Sequence, residues 1–373
     1  MKKVLKKVVA AAMAVTMMAT AAFTLSSCGK SKNESFKLGA TGPLTGDAAS
    51  YGISVQNGAK LAVKHVNAKG GVQLSLTILD DQALPESAAA NYDLLYDEGM
   101  QLSLGGVTSG AGEAYAKKAN VDSILCMTPS GSADSVINNM DYSFRLCFGD
   151  PDQGALAADE IKARGYTNIG AMYDTSDTYS SGVYAAFKTR MAELGIEYKE
   201  QSFDNESKVD FSTQAGALAD CDVIFMPFYY NEAQLFMKAA VLKGSNAVFF
   251  GCDGFDGIAS YIDDITNKVM YITPFDANST EQAVVDFVAA YEAEYGTKPD
   301  QFAADAYDVV MVYAAALEEA GLTDYDLSAK EVSDAVKAVL LSPDFSYTGL
   351  TGNGMTWSKD GKCTKAPKIV EFN

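Results

Sequence analysis

The sequence predicts an α/β protein of two doubly wound, parallel-sheet lobes. Short apolar runs alternate with amphipathic helical stretches from Phe36 onward, a pattern that places helices on both faces of parallel sheets. The runs fall into two consecutive series, divided by a turn-rich GDPD segment at Gly149–Asp152. The length of 373 residues independently gives two domains, at roughly 100–200 residues each.

The first series of expected strands is Phe36–Ala40, Leu74–Leu79, Leu102–Val107, Ile124–Met127 and Phe144–Phe148. The second is Ile169–Tyr173, Ile196–Phe203, Val223–Pro227, Val248–Phe250 and Val269–Thr273. Between them lie helical patterns. In Gly52–Asn67, for instance, Ala59, Ala62, Val63 and Val66 form an i, i+3, i+4, i+7 stripe. Further helices are expected over Glu86–Asp97, Gln153–Ala163, Ser181–Leu194, Glu232–Leu242, Thr280–Tyr295 and Phe302–Ala320, and Ser109–Gly110 opens another. A second break near Thr273–Asp276 precedes helices with no strong strand between them, which read as cover for the first sheet. The expected division is therefore 36–149 plus 276–342 for the first lobe and 150–275 plus 343–373 for the second, with a hairpin at Asp360-Gly361.

The N-terminus is of another kind. Lys2, Lys3, Lys6 and Lys7 precede an apolar stretch from Val8 to Phe23, the layout of a secretory signal. The stretch ends in Leu25-Ser26-Ser27-Cys28, which resembles the bacterial lipobox, so residues 1–27 are expected to be cleaved and Cys28 lipidated. Residues 28–35 then read as a lipidated cysteine and flexible tether. Two or three acyl chains anchor stably where one does not. The expected location is extracytoplasmic, on the cell membrane.

Charge narrows the function further. The formal net charge is −19, and cleavage after Ser27 removes four lysines and no acid, giving −23. Nucleic-acid binding needs a basic footprint, which this chain lacks. Cys126, Cys147, Cys221, Cys252 and Cys363 follow Cys28. Four of the five sit in or beside apolar runs, so buried thiols are expected, with a Cys126–Cys147 bridge open. With one histidine, His65, and no CxxC, neither a metal site nor a nucleophile–base pair can be assembled, and neither a cofactor nor an enzyme is expected. His65 itself reads as a solvated flank of its helix.

In open α/β sheets ligands sit beyond the carboxyl ends of strands. There the first lobe has Thr41–Gly46 with Tyr51, then Thr108-Ser109-Gly110 opening a helix, then Thr128–Ser132. Hydroxyls and free N–H groups at a helix start suit a carboxylate, though by local pattern they equally cap helices and turns. The second lobe has Asp174–Tyr179, Phe228–Glu232 and Gly251–Gly257. A carboxylate and tyrosines there suit an ammonium; Asp253 in an Asx-turn is the bland alternative.

These residues carry a resemblance. The segments LGATGPLTGDAASYG (38–52), NGAKLAVKHVNAKGG (57–71), LDD (79–81), TPSGSAD (128–134), YDTSDTYSSG (173–182), GCDGFDG (251–257) and AYD (306–308) occur in order behind the lipobox. Together they resemble the leucine/isoleucine/valine-binding protein family of ABC-importer solute-binding lipoproteins. The resemblance implies a type I periplasmic-binding fold, a Venus flytrap with three interlobe crossings, and a monomer that delivers its ligand to an ABC permease and its ATPase. By position, Ser109, Ser130 and Ser132 would hold a ligand α-carboxylate. Asp253 would pair with the α-ammonium, helped by Tyr179 and Tyr229 or Tyr230, and Tyr51 would wall the side-chain pocket. The chain departs from the family in having Gln82-Ala83 and Val107-Thr108 where the best-known members carry a cysteine pair, and Asp253 where they carry glutamate. An aliphatic, branched-chain amino acid is the favoured ligand. An amide, urea derivative or aromatic acid, or a sensor role, are the alternatives.

Overall fold

The computed structural model describes residues 33–372; the signal segment and Cys28 lie outside them. The first sheet has the order β2-β1-β3-β4-β5: β1 Phe36–Gly42, β2 Leu74–Asp80, β3 Leu102–Gly105, β4 Cys126–Thr128 and β5 Ser143–Arg145, all parallel. Helices α1 Ala49–Lys69, α2 Pro85–Asp97 and α3 Ser109–Asp122 connect its strands.

The second sheet has the order β11-β10-β9-β8-β6-β7: β6 Ile169–Asp174, β7 Lys199–Phe203, β8 Val223–Met226, β9 Val248–Gly251, β10 Val269–Thr273 and β11 Lys368–Phe372. Only β11 runs antiparallel, against β10. Its crossovers are α4 Asp150–Ala163, α5 Thr178–Leu194, α6 Ser212–Leu218 and α7 Tyr230–Leu242. The buried strand β8 reads VIFM, the continuous apolar run expected when helices cover both faces.

The chain then returns. Helices α8 Gln282–Tyr295, α9 Gln301–Glu319 and α10 Ala329–Leu340 pack on the first lobe. Val284, Phe287 and Tyr291 of α8 meet Leu61 of α1. Helix α9 lies so close to α1 that a Cβ on Gly58 would fall 2.0 Å from the Ala303 carbonyl oxygen, so only glycine fits there. Ser333 of α10 accepts the Leu125 N–H at 2.8 Å.

The segment after α10 corrects the expected division. Residues 343–364 stay with the first lobe: the Arg145 N–H donates to the Gly361 carbonyl at 3.0 Å, and the Trp357 indole N–H donates to the Arg145 carbonyl at 3.1 Å. The Asp308 carboxylate of α9 collects the N–H groups of Leu350 and Thr351. Only β11 joins the second sheet, because its backbone pairs with β10. Tyr347 bridges Met355 and Trp357 bridges Cys363, so the turn at Asp360-Gly361 is a hairpin.

The chain thus crosses between lobes three times: after β5, after β10 and before β11. At the third crossing Lys365 is fully buried, and its ammonium pairs with Asp305 of α9 at 2.5 Å and donates to the Thr351 hydroxyl. One other expectation changes, and the open question of a cysteine bridge is answered. His65 is partly buried, its Nδ1 2.9 Å from the Tyr307 hydroxyl, because α9 covers that flank of α1. Cys126, Cys147, Cys221 and Cys252 are buried free thiols, so Cys126 and Cys147 form no bridge.

Candidate functional site

Each cluster of expected site residues stands where its strand ends. Beyond β3, Thr108 is the N-cap of α3 and Ser109 its first residue. The Ser109 hydroxyl oxygen accepts the Ala133 N–H at 3.2 Å, which leaves its proton free to be donated. Beyond β4, Thr128 Oγ1 organises the turn, taking the N–H groups of Ser130 and Gly131 while donating to the Gly106 carbonyl. Ser130 spends its own proton on the Val107 carbonyl at 2.7 Å, so toward the cleft it offers lone pairs.

On the opposing lobe, β6 leads through Asp177, whose carboxylate caps α5, to Tyr179. The rings of Tyr179 and Tyr229 stack at 5.2 Å, and the Tyr179 hydroxyl accepts the Gly254 N–H at 3.1 Å. Asp253 follows β9 and opens a 3₁₀ turn, Asp253–Phe255. Its N–H donates to Gln153 Oε1 at 3.0 Å, and its carbonyl accepts from Gln301 Nε2 at 2.7 Å. Asp253 Oδ1 is buried and finds no partner. Burial pushes the Asp253 carboxyl up to about 6, while the neighbouring Tyr179 and Gln153 side chains oppose that rise by favouring the charged form.

Between the lobes these residues enclose a cavity of about 10 Å³, room for about one water. It brings together Tyr51, Ser109, Ser130, Tyr179, Tyr229 and Asp253. Ser132 and Tyr230 stand apart from it. Ser132 lies behind the wall, its hydroxyl buried and unpartnered. Tyr230 ties the lobes: its N–H donates to the Tyr51 hydroxyl at 3.1 Å, and its hydroxyl donates to the Asp47 carbonyl at 2.9 Å. The Tyr51 hydroxyl in turn donates to the Gly254 carbonyl at 2.5 Å. These contacts join α1 to the second lobe, so the structure is closed.

Val107, Thr108, Gly254 and Phe302 complete the wall. Phe302 stands 4.3 Å from the Tyr51 ring, centroid to centroid. It comes from α9, more than two hundred residues from Tyr51, so no local pattern in the sequence marks it. Outside the cavity a cleft of about 470 Å³ opens between the lobes, lined by Asp47, Asp174, Asp177 and Glu232, among others. Lys208 spans it to Asp47 at 3.2 Å.

Among the described residues no cluster of His, Cys, Asp and Glu is arranged to hold a metal ion. The fold and cleft define a two-lobed binding protein that closes around a small solute. The chain belongs to the periplasmic binding protein family, whose model matches residues 35–373. That membership makes it an extracytoplasmic binding component of a transport system and not an enzyme.

The chain is 26% identical over 315 residues to the leucine-, isoleucine-, valine-, threonine- and alanine-binding protein of Pseudomonas aeruginosa, covering 82% of this chain and 83% of that one. In fold it resembles the branched-chain amino acid transporter substrate-binding protein of Streptococcus pneumoniae, crystallised with isoleucine. The TM-score is 0.79 and the identity 24%, over 91% of this chain and 100% of that one. It equally resembles a solute-binding protein of R. palustris in complex with benzoate, with a TM-score of 0.80 and 20% identity over 91% and 93% of the chains.

Proposed function

We propose that this protein captures an amino acid between its lobes for delivery to an ABC permease and its ATPase. One observation carries the reading: the buried Asp253 carboxylate of one lobe, whose Oδ1 finds no partner, shares a cavity with the donor hydroxyl of Ser109 on the other. A zwitterion meets both needs, its carboxylate at the start of α3 and its ammonium on Asp253. A ligand that touches both lobes favours the closed state, whereas one that touches a single lobe does not. An aromatic acid without an ammonium would leave Asp253 buried beside an anion, which counts against that alternative.

Tyr51, Val107 and Phe302 give the side-chain end an apolar character. The enclosed space is smaller than any amino acid, so these walls must part on binding, and the smaller aliphatic residues require the least movement. One methylene changes binding by ~1–3 kcal/mol, so related aliphatic ligands should compete. The lipobox at Cys28 supports attachment to the membrane surface as a lipoprotein.

The test is a thermal-shift and calorimetric screen against the twenty amino acids, using refolded protein free of carried-over ligand. Saturation at 100 times Kd stabilises by about 2.7 kcal/mol, enough to raise Tm measurably. Asp253→Ala should abolish the response and keep the fold. Unchanged affinity in that variant would remove Asp253 from the site.

A further inference from the structure

At the mouth of the cleft stands a charge that the amino-acid reading does not use. The outer cleft of about 470 Å³ is lined by the carboxylates of Asp47, Asp174, Asp177 and Glu232, and the one cationic side chain among its lining residues is Lys208. Lys208 Nζ stands 3.2 Å from Asp47 Oδ2 of the first lobe and 3.8 Å from Glu232 Oε1 of the second. An ammonium thus already sits between the lobes, on one carboxylate from each.

The loop that carries Lys208 joins β7 to α6, and it is held at both ends and within. Phe203 and Phe211 at its ends are buried, and their rings meet edge to face at 5.1 Å. Inside it, Asp204 Oδ1 accepts the Ser207 hydroxyl at 2.8 Å and the N–H groups of Glu206 and Ser207 at 3.1 Å. The Asn205 N–H donates to Ser176 Oγ at 3.2 Å. On the facing lobe, Asp47 is fixed through its carbonyl, which accepts the Tyr230 hydroxyl. Both partners of the ion pair are therefore presented at the mouth by backbone that is itself tied down.

The surrounding charges explain what this ammonium does. Asp174 and Asp177 have local donors, from Ser176 and from the Ser180 N–H. Asp47 and Glu232 are the carboxylates that Lys208 serves. Glu232 is 7% exposed. Burial raises its carboxyl and Asp47 and Asp174 add to the rise, while its own backbone N–H and Lys208 oppose it. Closing the lobes brings Asp47 toward Glu232 and Asp174, like charges that Lys208 separates. Thr108 and Tyr229 line both the inner cavity and this cleft. A ligand side chain that passes between them therefore reaches the acidic mouth.

We propose that Lys208 is a specificity-determining residue: a built-in cation that fills the acidic mouth, straps the closed lobes together and denies the mouth to a ligand with a cationic side chain. A neutral side chain leaves the strap in place. The ammonium of a lysine side chain would meet Lys208 at the same carboxylates, and one of the two cations must leave. The protein thus selects amino acids with neutral side chains, although a net charge of −19 by itself draws cations. The proposal rests on the amino-acid reading and adds to it the charge of the ligand's side chain.

The experiment is titration calorimetry of the whole mature protein with L-norleucine and L-lysine, whose side chains differ by one ammonium group. Wild-type protein should bind norleucine about tenfold or more tightly than lysine. Lys208→Met removes the charge and keeps most of the side chain's length. It should bind norleucine up to about fivefold more weakly, the share of a partly exposed ion pair. Its preference should shift about tenfold or more toward lysine, because the mouth then lacks a cation. Lys208→Arg keeps the charge and should keep the wild-type preference. A Lys208→Met protein whose lysine binding gains nothing relative to norleucine overturns the proposal and leaves the amino-acid reading standing. So does a wild-type protein that binds lysine as tightly as norleucine, a result that needs no variant to fold. A wild-type protein that binds no amino acid in the wider screen overturns both.

Discussion

The Tyr51 hydroxyl is one of the ties that hold the lobes closed, and Tyr51→Phe measures its share. That hydroxyl donates to the Gly254 carbonyl at 2.5 Å and accepts the Tyr230 N–H at 3.1 Å, both across the cleft. Phenylalanine keeps the ring against Phe302 and the cavity wall. It leaves one backbone acceptor and one backbone donor unpartnered in the closed state only. In the open state water serves both groups. At about 1 kcal/mol for each net hydrogen bond, closure loses about 2 kcal/mol, or roughly thirtyfold in apparent affinity. The loss falls on every ligand alike, because the hydroxyl acts on the lobes rather than on a particular side chain. Titration calorimetry of wild type and variant against L-alanine, L-valine and L-leucine reads the affinity. Small-angle scattering at saturating ligand reads compaction. The melting temperature without ligand should change little. A Tyr51→Phe variant that binds within twofold of wild type would refute the assignment of this hydroxyl as a closure tie.

Two further predictions concern stability. Burial raises Asp81, Asp300 and Asp308 to about 6 and Asp256 to about 7, so the folded chain holds more protons than the unfolded chain between about pH 4 and 7. Stability from these groups is greatest near pH 4 and declines as pH rises through that window. Calorimetric Tm of ligand-free protein should therefore be higher at pH 5 than at pH 8, and a Tm that rises over that interval would contradict the assignment. Lys365→Met strands the buried Asp305 carboxylate and should cost about 3–5 kcal/mol, seen as a clear fall in the denaturant midpoint. Replacing both partners, Lys365→Met with Asp305→Leu, should recover most of that loss. A double variant no better than the single one would show that the pair itself is not the source.

Much of the fold is legible because its strands are short apolar runs with turn residues at both ends. Boundaries of the helices shift by only a few residues: the stripe in Gly52–Asn67 belongs to Ala49–Lys69, and Glu86–Asp97 to Pro85–Asp97. Helix α10, Ala329–Leu340, has a capping box at Ser328 and Glu331 and a strongly one-sided apolar face, signals that the local pattern does hold. The tail beyond it is harder. Residues 343–364 are polar and irregular, and only the free edge of β5, together with Asp308, determines which lobe receives them.

The strand-end rule points to Ser109, Ser130, Tyr179, Tyr229 and Asp253, which the structure brings around one cavity because loops that follow parallel strands converge at the same end of a sheet. It also offers Ser132 and Tyr230, which have suitable chemistry at suitable positions. Their separation from the cavity depends on the direction each side chain takes after its turn. Asp150 illustrates the reverse case. In the sequence it belongs to a boundary turn, and only the tertiary structure buries it near Asp253, about a hundred residues away.

Residue type, spacing and the two strand series by themselves determine the α/β class, the two lobes, the strand ends that face one another, and the exclusion of nucleic-acid chemistry. These follow from local forces: hydrophobic periodicity, turn geometry and net charge act over a few residues or over the whole composition. The closed cleft, the Phe302 wall, the Tyr51 tie and the Lys365–Asp305 pair are decided only in the tertiary structure. Each depends on groups distant in the chain meeting in a dry interior. There the cost of burying an unpaired charge, negligible on the surface, becomes large enough to define a site.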